Sequence, residues 1–154
     1  MRFTFRKAAI AAAIAIVFAP IALASSQKSI SATVYKDPNC GCCNEWIAHL
    51  EKNGFVAKII NESDAKTRNA LGIPNRFASC HTAKIGDYAI EGHVPANDIL
   101  RLLQERPDAI GLSVPNMPIG SPGMDGEAYG GLSEPYQTLL IAKDGSASVF
   151  NEYK

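Results

Sequence analysis

Residues 36–46 read KDPNCGCCNEW and crowd Cys40, Cys42 and Cys43 into four positions. Cys40 and Cys43 have the C-x-x-C spacing of a redox dithiol, in which one thiolate attacks a disulfide and the other resolves the mixed disulfide. Cys42 has no necessary part in that exchange. It has a natural one in a polythiolate metal site, where closely spaced sulfurs bridge several soft, low-coordinate ions. A fourth cysteine, Cys80, is followed directly by His81 and can complete such a set, or take up the odd thiol left by one disulfide within the trio.

Four thiolates with a nearby imidazole fit zinc or copper(I). Cysteine zinc sites usually come as two well-separated C-x-x-C knuckles, so the crowding here favours copper(I), with zinc as the minor alternative. Met117 and Met124, the only methionines besides the initiator, stand in a Gly/Pro-rich stretch. Their thioethers are soft donors, and both residues are candidates to bind the ion or to anchor a loop over it. His81 is the candidate imidazole; His93 reads as a turn or packing residue, His49 as a satisfied helix residue and Trp46 as core. The plainer account of four cysteines is two structural disulfides. Against it, a bridge inside the trio would close a tiny loop and restrict the unfolded chain little, and a domain of this size has a core that needs no staple.

The elements that must position these residues follow from hydrophobic pattern and turn chemistry. SATVYK (31–36) is a strand ended by Asp37-Pro38-Asn39, and CNEWIAHLEKNG (43–54) spaces Trp46, Ile47 and Leu50 as a helix does. The cysteines therefore fall at a strand-to-helix junction, where the helix dipole and free N–H groups favour thiolate. A second strand (55–60) and a short helix (62–71, Ser63 as N-cap, Gly72 as stop) follow, then two strands on either side of Gly86-Asp87 within 80–94 and a helix started by Pro95 (95–106). Residues 107–135 hold most of the prolines and read as a long structured loop. Residues 136–153 make a hairpin at Asp144-Gly145. The order is that of a thioredoxin-like α/β domain, and Pro74 and Pro95 compete as the cis proline such folds place opposite the C-x-x-C, with Pro74 preferred because Pro95 fits a helix start.

The N-terminus sets the compartment. Arg2, Arg6 and Lys7 precede an apolar run that ends in Ala22-Leu23-Ala24, the pattern of a secretory signal peptide cleaved after Ala24. Residues 25–30 are then a short tail and 31–152 the functional domain. Removing residues 1–24 takes three of the fifteen Lys and Arg and none of the fifteen Asp and Glu, leaving a net charge of −3. A nucleic-acid partner is not expected, nor is a membrane once the leader is gone.

CGCC after a first strand, GIP (72–74), SCHTA (79–83), EGHVPA (91–96) and MPIGSPGM (117–124) occur in this order, and together they resemble the CopG-type periplasmic copper-resistance proteins over residues 31–152. The resemblance implies a thioredoxin-like fold that holds copper through cysteine thiolates, a periplasmic place in copper tolerance, and copper ions and other periplasmic copper-handling proteins as partners. The residues themselves leave two classes open. One is a copper(I) binder that uses Cys40, Cys42, Cys43 and Cys80; the other is a thiol-disulfide or copper-linked oxidoreductase with Cys40 attacking and Cys43 resolving.

Overall fold

The computed structural model describes residues 29–154, so the expected leader and most of the expected tail lie outside the described residues. The chain forms one mixed α/β domain. Strand β1 (Ile30–Lys36), helix α1 (Gly41–Lys52) and strand β2 (Phe55–Asn61) make a β-α-β unit whose two strands run parallel, Val34 opposite Ile59. Helix α2 (Asp64–Ala70) then leads, through a 3₁₀ turn at 75–77, to an antiparallel hairpin of β3 (His81–Ile85) and β4 (Tyr88–Gly92) around Gly86-Asp87. Helix α3 (Ala96–Glu105) follows, then strand β5 (Ala109–Val114) and a second hairpin of β6 (Tyr136–Ala142) and β7 (Ala147–Tyr153). All seven strands join one sheet in the order β2-β1-β3-β4-β5-β6-β7.

The structure departs from the sequence pattern in two places. The loop read across 107–135 contains β5, a central strand parallel to β4 and antiparallel to β6. Its Gly111 sits where a Cβ would lie 1.7 Å from the carbonyl oxygen of Ala89, so the close strand approach demands glycine. The expected cis proline is absent: no peptide bond among the described residues is cis. Pro74 packs its ring 3.5 Å from the position of a Cβ on Gly145, beside the β6–β7 turn, and Pro95 is the N-cap residue of α3.

Side-chain alternation divides the sheet into two faces. One carries Ala32, Val34, Ala83, Ile85, Ile90, Leu112 and Val114, all fully buried, under Trp46, Ile47 and Leu50 of α1 and Ile99 and Leu102 of α3. Each such large apolar side chain contributes about 1.5–3 kcal/mol on burial. The opposite parity places Thr82 and Glu91 side by side on the other face, where Arg68 of α2 reaches Glu91. The end of β1, the start of β3 and the end of β4 thus meet at one rim of the sheet beside the start of α1, with the apolar core on one face and the Thr82–Glu91–Arg68 contacts on the other.

Candidate metal centre

Helix α1 begins two residues earlier than the apolar pattern indicates, so Cys42 and Cys43 lie in its first turn and Cys40 is its N-cap residue. The sulfur of Cys40 accepts the backbone N–H of Cys43 at 3.3 Å, the bond for which Ser, Thr, Asp and Asn are the preferred N-cap residues. Cys40 and Cys43 are joined as a disulfide, while Cys42 and Cys80 carry free thiols. Cys42 Sγ stands 3.6 Å from Cys40 Sγ and 4.0 Å from Cys80 Sγ, and Cys80 Sγ stands 3.5 Å from Cys43 Sγ. Cys80 comes from the residue just before β3, so two stretches of chain nearly forty residues apart bring four sulfurs within 4.8 Å of one another.

Imidazoles close the second side. His81 is fully buried, its Nδ1 3.4 Å from Cys80 Sγ and its ring tilted against Trp46 at a centroid distance of 4.3 Å. Its Nε2 is buried and has no hydrogen-bond partner among the described residues. His93, expected from the sequence to be a turn or packing residue, lies closer: its Nε2 is 3.1 Å from Cys80 Sγ. The other ring nitrogen, Nδ1, is 2.8 Å from the carbonyl oxygen of Pro122 and must donate to it. Its tautomer is thereby fixed with the Nε2 lone pair turned to the sulfur. Cys80, His81 and His93 form a second group whose candidate ligand atoms all lie within 4.8 Å, sharing Cys80 with the first.

The methionines part company. Met117 reaches the thiols, with Sδ 3.9 Å from Cys42 Sγ, whereas the sulfur of Met124 accepts the hydroxyl of Tyr129 at 3.1 Å. The loop between them is seated on α1, because Gly123 lies where a Cβ would be 2.7 Å from Cys42 O and 2.8 Å from Trp46 N. Trp46 is fully buried and donates its indole N–H to Val94 O at 2.9 Å, which locks the wall behind the sulfurs. His49 lies apart, accepting the Ala96 N–H at 3.1 Å.

Burial governs the protonation of these groups. It pushes the Cys80 thiol up to about 12, with the neighbouring Cys42 as the next cause. It drives His81 down to about 3, with His93 adding to the effect. Burial also lowers His93, against the opposing pull of the Pro122 hydrogen bond and Asp125. The imidazoles are therefore neutral at pH 7 and Cys80 holds its proton. A soft cation entering this set finds nitrogen lone pairs ready and must displace a thiol proton. Thiolate, thioether and neutral imidazole are the donors copper(I) takes, and Nδ1 of His81 and Nε2 of His93 both face the Cys80 sulfur.

A family described as "Protein of unknown function, DUF411" matches residues 77–124, the stretch from the Cys80 loop through His93 to Met124. No curated protein matches the chain. Among solved structures, form 2 of a copper resistance protein, copG, is 43% identical, with 82% of this chain and 100% of that chain covered and a TM-score of 0.76. Form 1 of the same protein is 45% identical over 82% of this chain and 98% of that chain, with a TM-score of 0.75. With identity of that order over the whole length of those relatives, this chain belongs to the CopG-type copper-resistance family.

Proposed function

We propose that the protein is an extracytoplasmic copper-binding protein of copper resistance, which in its reduced state holds copper(I) through Cys40, Cys42, Cys43 and Cys80, with His93, His81 and Met117 as further donors. The observation that carries this reading is the convergence of four sulfurs, three of them half-buried, and two buried neutral imidazoles on one rim. The relatives named for copper resistance supply the choice of metal. The β1-α1-β2-α2-β3-β4-α3 run, with its strands in the order β2-β1-β3-β4, supports the thioredoxin-like reading of the fold. A periplasmic location follows from the leader read in residues 1–24. No helix among the described residues is long and apolar enough to cross a membrane.

The test is copper(I) bound per chain by the reduced protein, for wild type, Cys42→Ser and Cys80→Ser. A cluster with bridging sulfurs fails when any bridge is lost, so both variants should fall in stoichiometry or by about tenfold or more in affinity. Full binding by both sinks the reading, as would one zinc per chain that excess copper(I) does not displace.

A second reading rests on the disulfide between Cys40 and Cys43. Two electrons and two protons convert it to the dithiol, so the pair is suited to thiol-disulfide or copper-linked redox chemistry with Cys40 attacking and Cys43 resolving. In that case Cys42→Ser retains disulfide-reductase activity, and its copper content is incidental.

A further inference from the structure

Glu91 is fully buried in β4, on the sheet face turned away from α1, and none of the chemistry above uses it. Its carboxylate nevertheless reaches the loop that carries Cys80. One oxygen, Oε1, accepts the backbone N–H of Ser79 at 2.7 Å and Nη1 of Arg68 at 3.3 Å; the other, Oε2, accepts the Thr82 hydroxyl at 2.5 Å. Cys80 is thus bracketed by two residues, Ser79 and Thr82, that are both held by the same carboxylate.

The loop so held is in turn tied to Met117. The hydroxyl of Ser79 donates to the carbonyl of Asn116, and Asn116 N donates to Ala78 O at 3.0 Å. Gly92 gives the loop room to sit down on β4, since a Cβ there would lie 2.5 Å from Ser79 Cβ and from Val114 O. We infer that Glu91 is a positioning residue of the thiol site, which fixes Cys80 opposite Cys42 and Cys43 by accepting the backbone N–H just before it. This rests on the reading that the four thiols act together.

A plainer role exists, as the counter-charge of Arg68. The distances oppose it: Arg68 stands 2.8 Å from Asp64 and only 3.3 Å from Glu91, whereas the close bonds of Glu91 are to the neutral donors Ser79 and Thr82. The two roles predict opposite outcomes for two conservative variants. Glu91→Gln keeps an acceptor oxygen at the same reach and loses the charge, whereas Glu91→Asp keeps the charge and withdraws the oxygen by one methylene.

Phenylarsine oxide reads the geometry directly, because its arsenic bonds two close thiols and releases water, and with Cys40–Cys43 oxidised Cys42 and Cys80 are the free pair. Wild type and Glu91→Gln should chelate the arsenical alike, and Glu91→Asp and Glu91→Leu about tenfold more weakly, the loss expected when a buried N–H loses a charged acceptor. Thermal unfolding is followed in parallel. The proposal is overturned if all variants chelate alike, if Asp chelates as wild type while Gln does not, or if Gln loses cooperative unfolding. It also falls if neither Asp nor Leu unfolds cooperatively, since Glu91 then sets the fold and not the loop. Copper(I) binding by the wild type separates this from the function proposed above: no copper(I) with the arsenical contrast intact overturns that function alone, and copper(I) bound with no contrast overturns the role of Glu91 alone.

Discussion

The ring of His93 can offer only one nitrogen to the thiols, because the Pro122 carbonyl claims the proton on the other. A pre-oriented neutral imidazole loses little freedom on binding a metal, and in metal sites such orientation commonly accounts for about ten- to hundredfold in affinity. His93→Ala should therefore weaken copper(I) binding by about tenfold or more while the four thiols still titrate, a change measured by competition with a copper(I) chelator; unchanged affinity removes His93 from the ligand set. The cysteines and His81 could be named from the chain because thiol spacing is itself the signal. His93 needed one further step. Thr82 pairs with Glu91 across a hairpin turning at Gly86-Asp87, so counting outward puts residue 80 opposite residue 93. That count was open to the sequence once the turn was placed. The separation of Met117 from Met124 was not, since it depends on how an irregular loop settles on α1 and on a hydroxyl from Tyr129.

At the scale of elements, α1 and α3 are joined by a bond that neither helix shows in its own sequence. Pro95 gives α3 no side-chain cap, and His49 of α1 supplies the acceptor for the Ala96 N–H in its place. Only the unprotonated imidazole can accept. Burial lowers the proton affinity of His49, Lys52 acts in the same direction, and Asp125 opposes them. The folded value therefore lies below that of the unfolded chain, so this contribution to stability is whole above the unfolded value of about 6.5 and is lost as pH falls through the folded value. His49→Ala should cost about 1 kcal/mol near neutrality, and the gap between wild type and variant, measured by urea unfolding, should narrow on acidification to pH 5. A constant gap would mean that packing alone is lost. The run from β1 to α3 was legible because hydrophobic period and stop residues change together at each boundary. The early start of α1 was hidden because cysteine is an unusual N-cap and Gly41 a poor helix former. Strand β5 was hidden because AIGLSV, between Pro107 and Pro115 and interrupted by Gly111, lacks the alternation of a strand with one wet face.

In the whole molecule the candidate donors come from places the chain separates widely: the start of α1, the entry to β3, the exit of β4 and the loop after β5. An ion shared by them joins segments that the unfolded chain would hold far apart. The folded state alone presents the whole set, whereas Cys40, Cys42 and Cys43 stay together in the unfolded chain, so binding adds to stability by mass action, by at most about 4 kcal/mol when free metal is a thousandfold above the dissociation constant. For a domain of this length that corresponds to a rise in Tm on the order of 10 °C. The oxidised protein offers a different case. The disulfide between Cys40 and Cys43 removes two of the four thiols from coordination and closes a loop so short that its own stabilisation is about 2 kcal/mol. Two scans under copper(I) separate these effects, one of the reduced protein and one of the protein with Cys40–Cys43 oxidised. The reduced protein should show the large rise and the oxidised protein a much smaller one, through Cys42, Cys80 and the imidazoles alone. Equal rises in both states would mean that Cys40 and Cys43 take no part in holding the metal, and would leave them to redox chemistry alone.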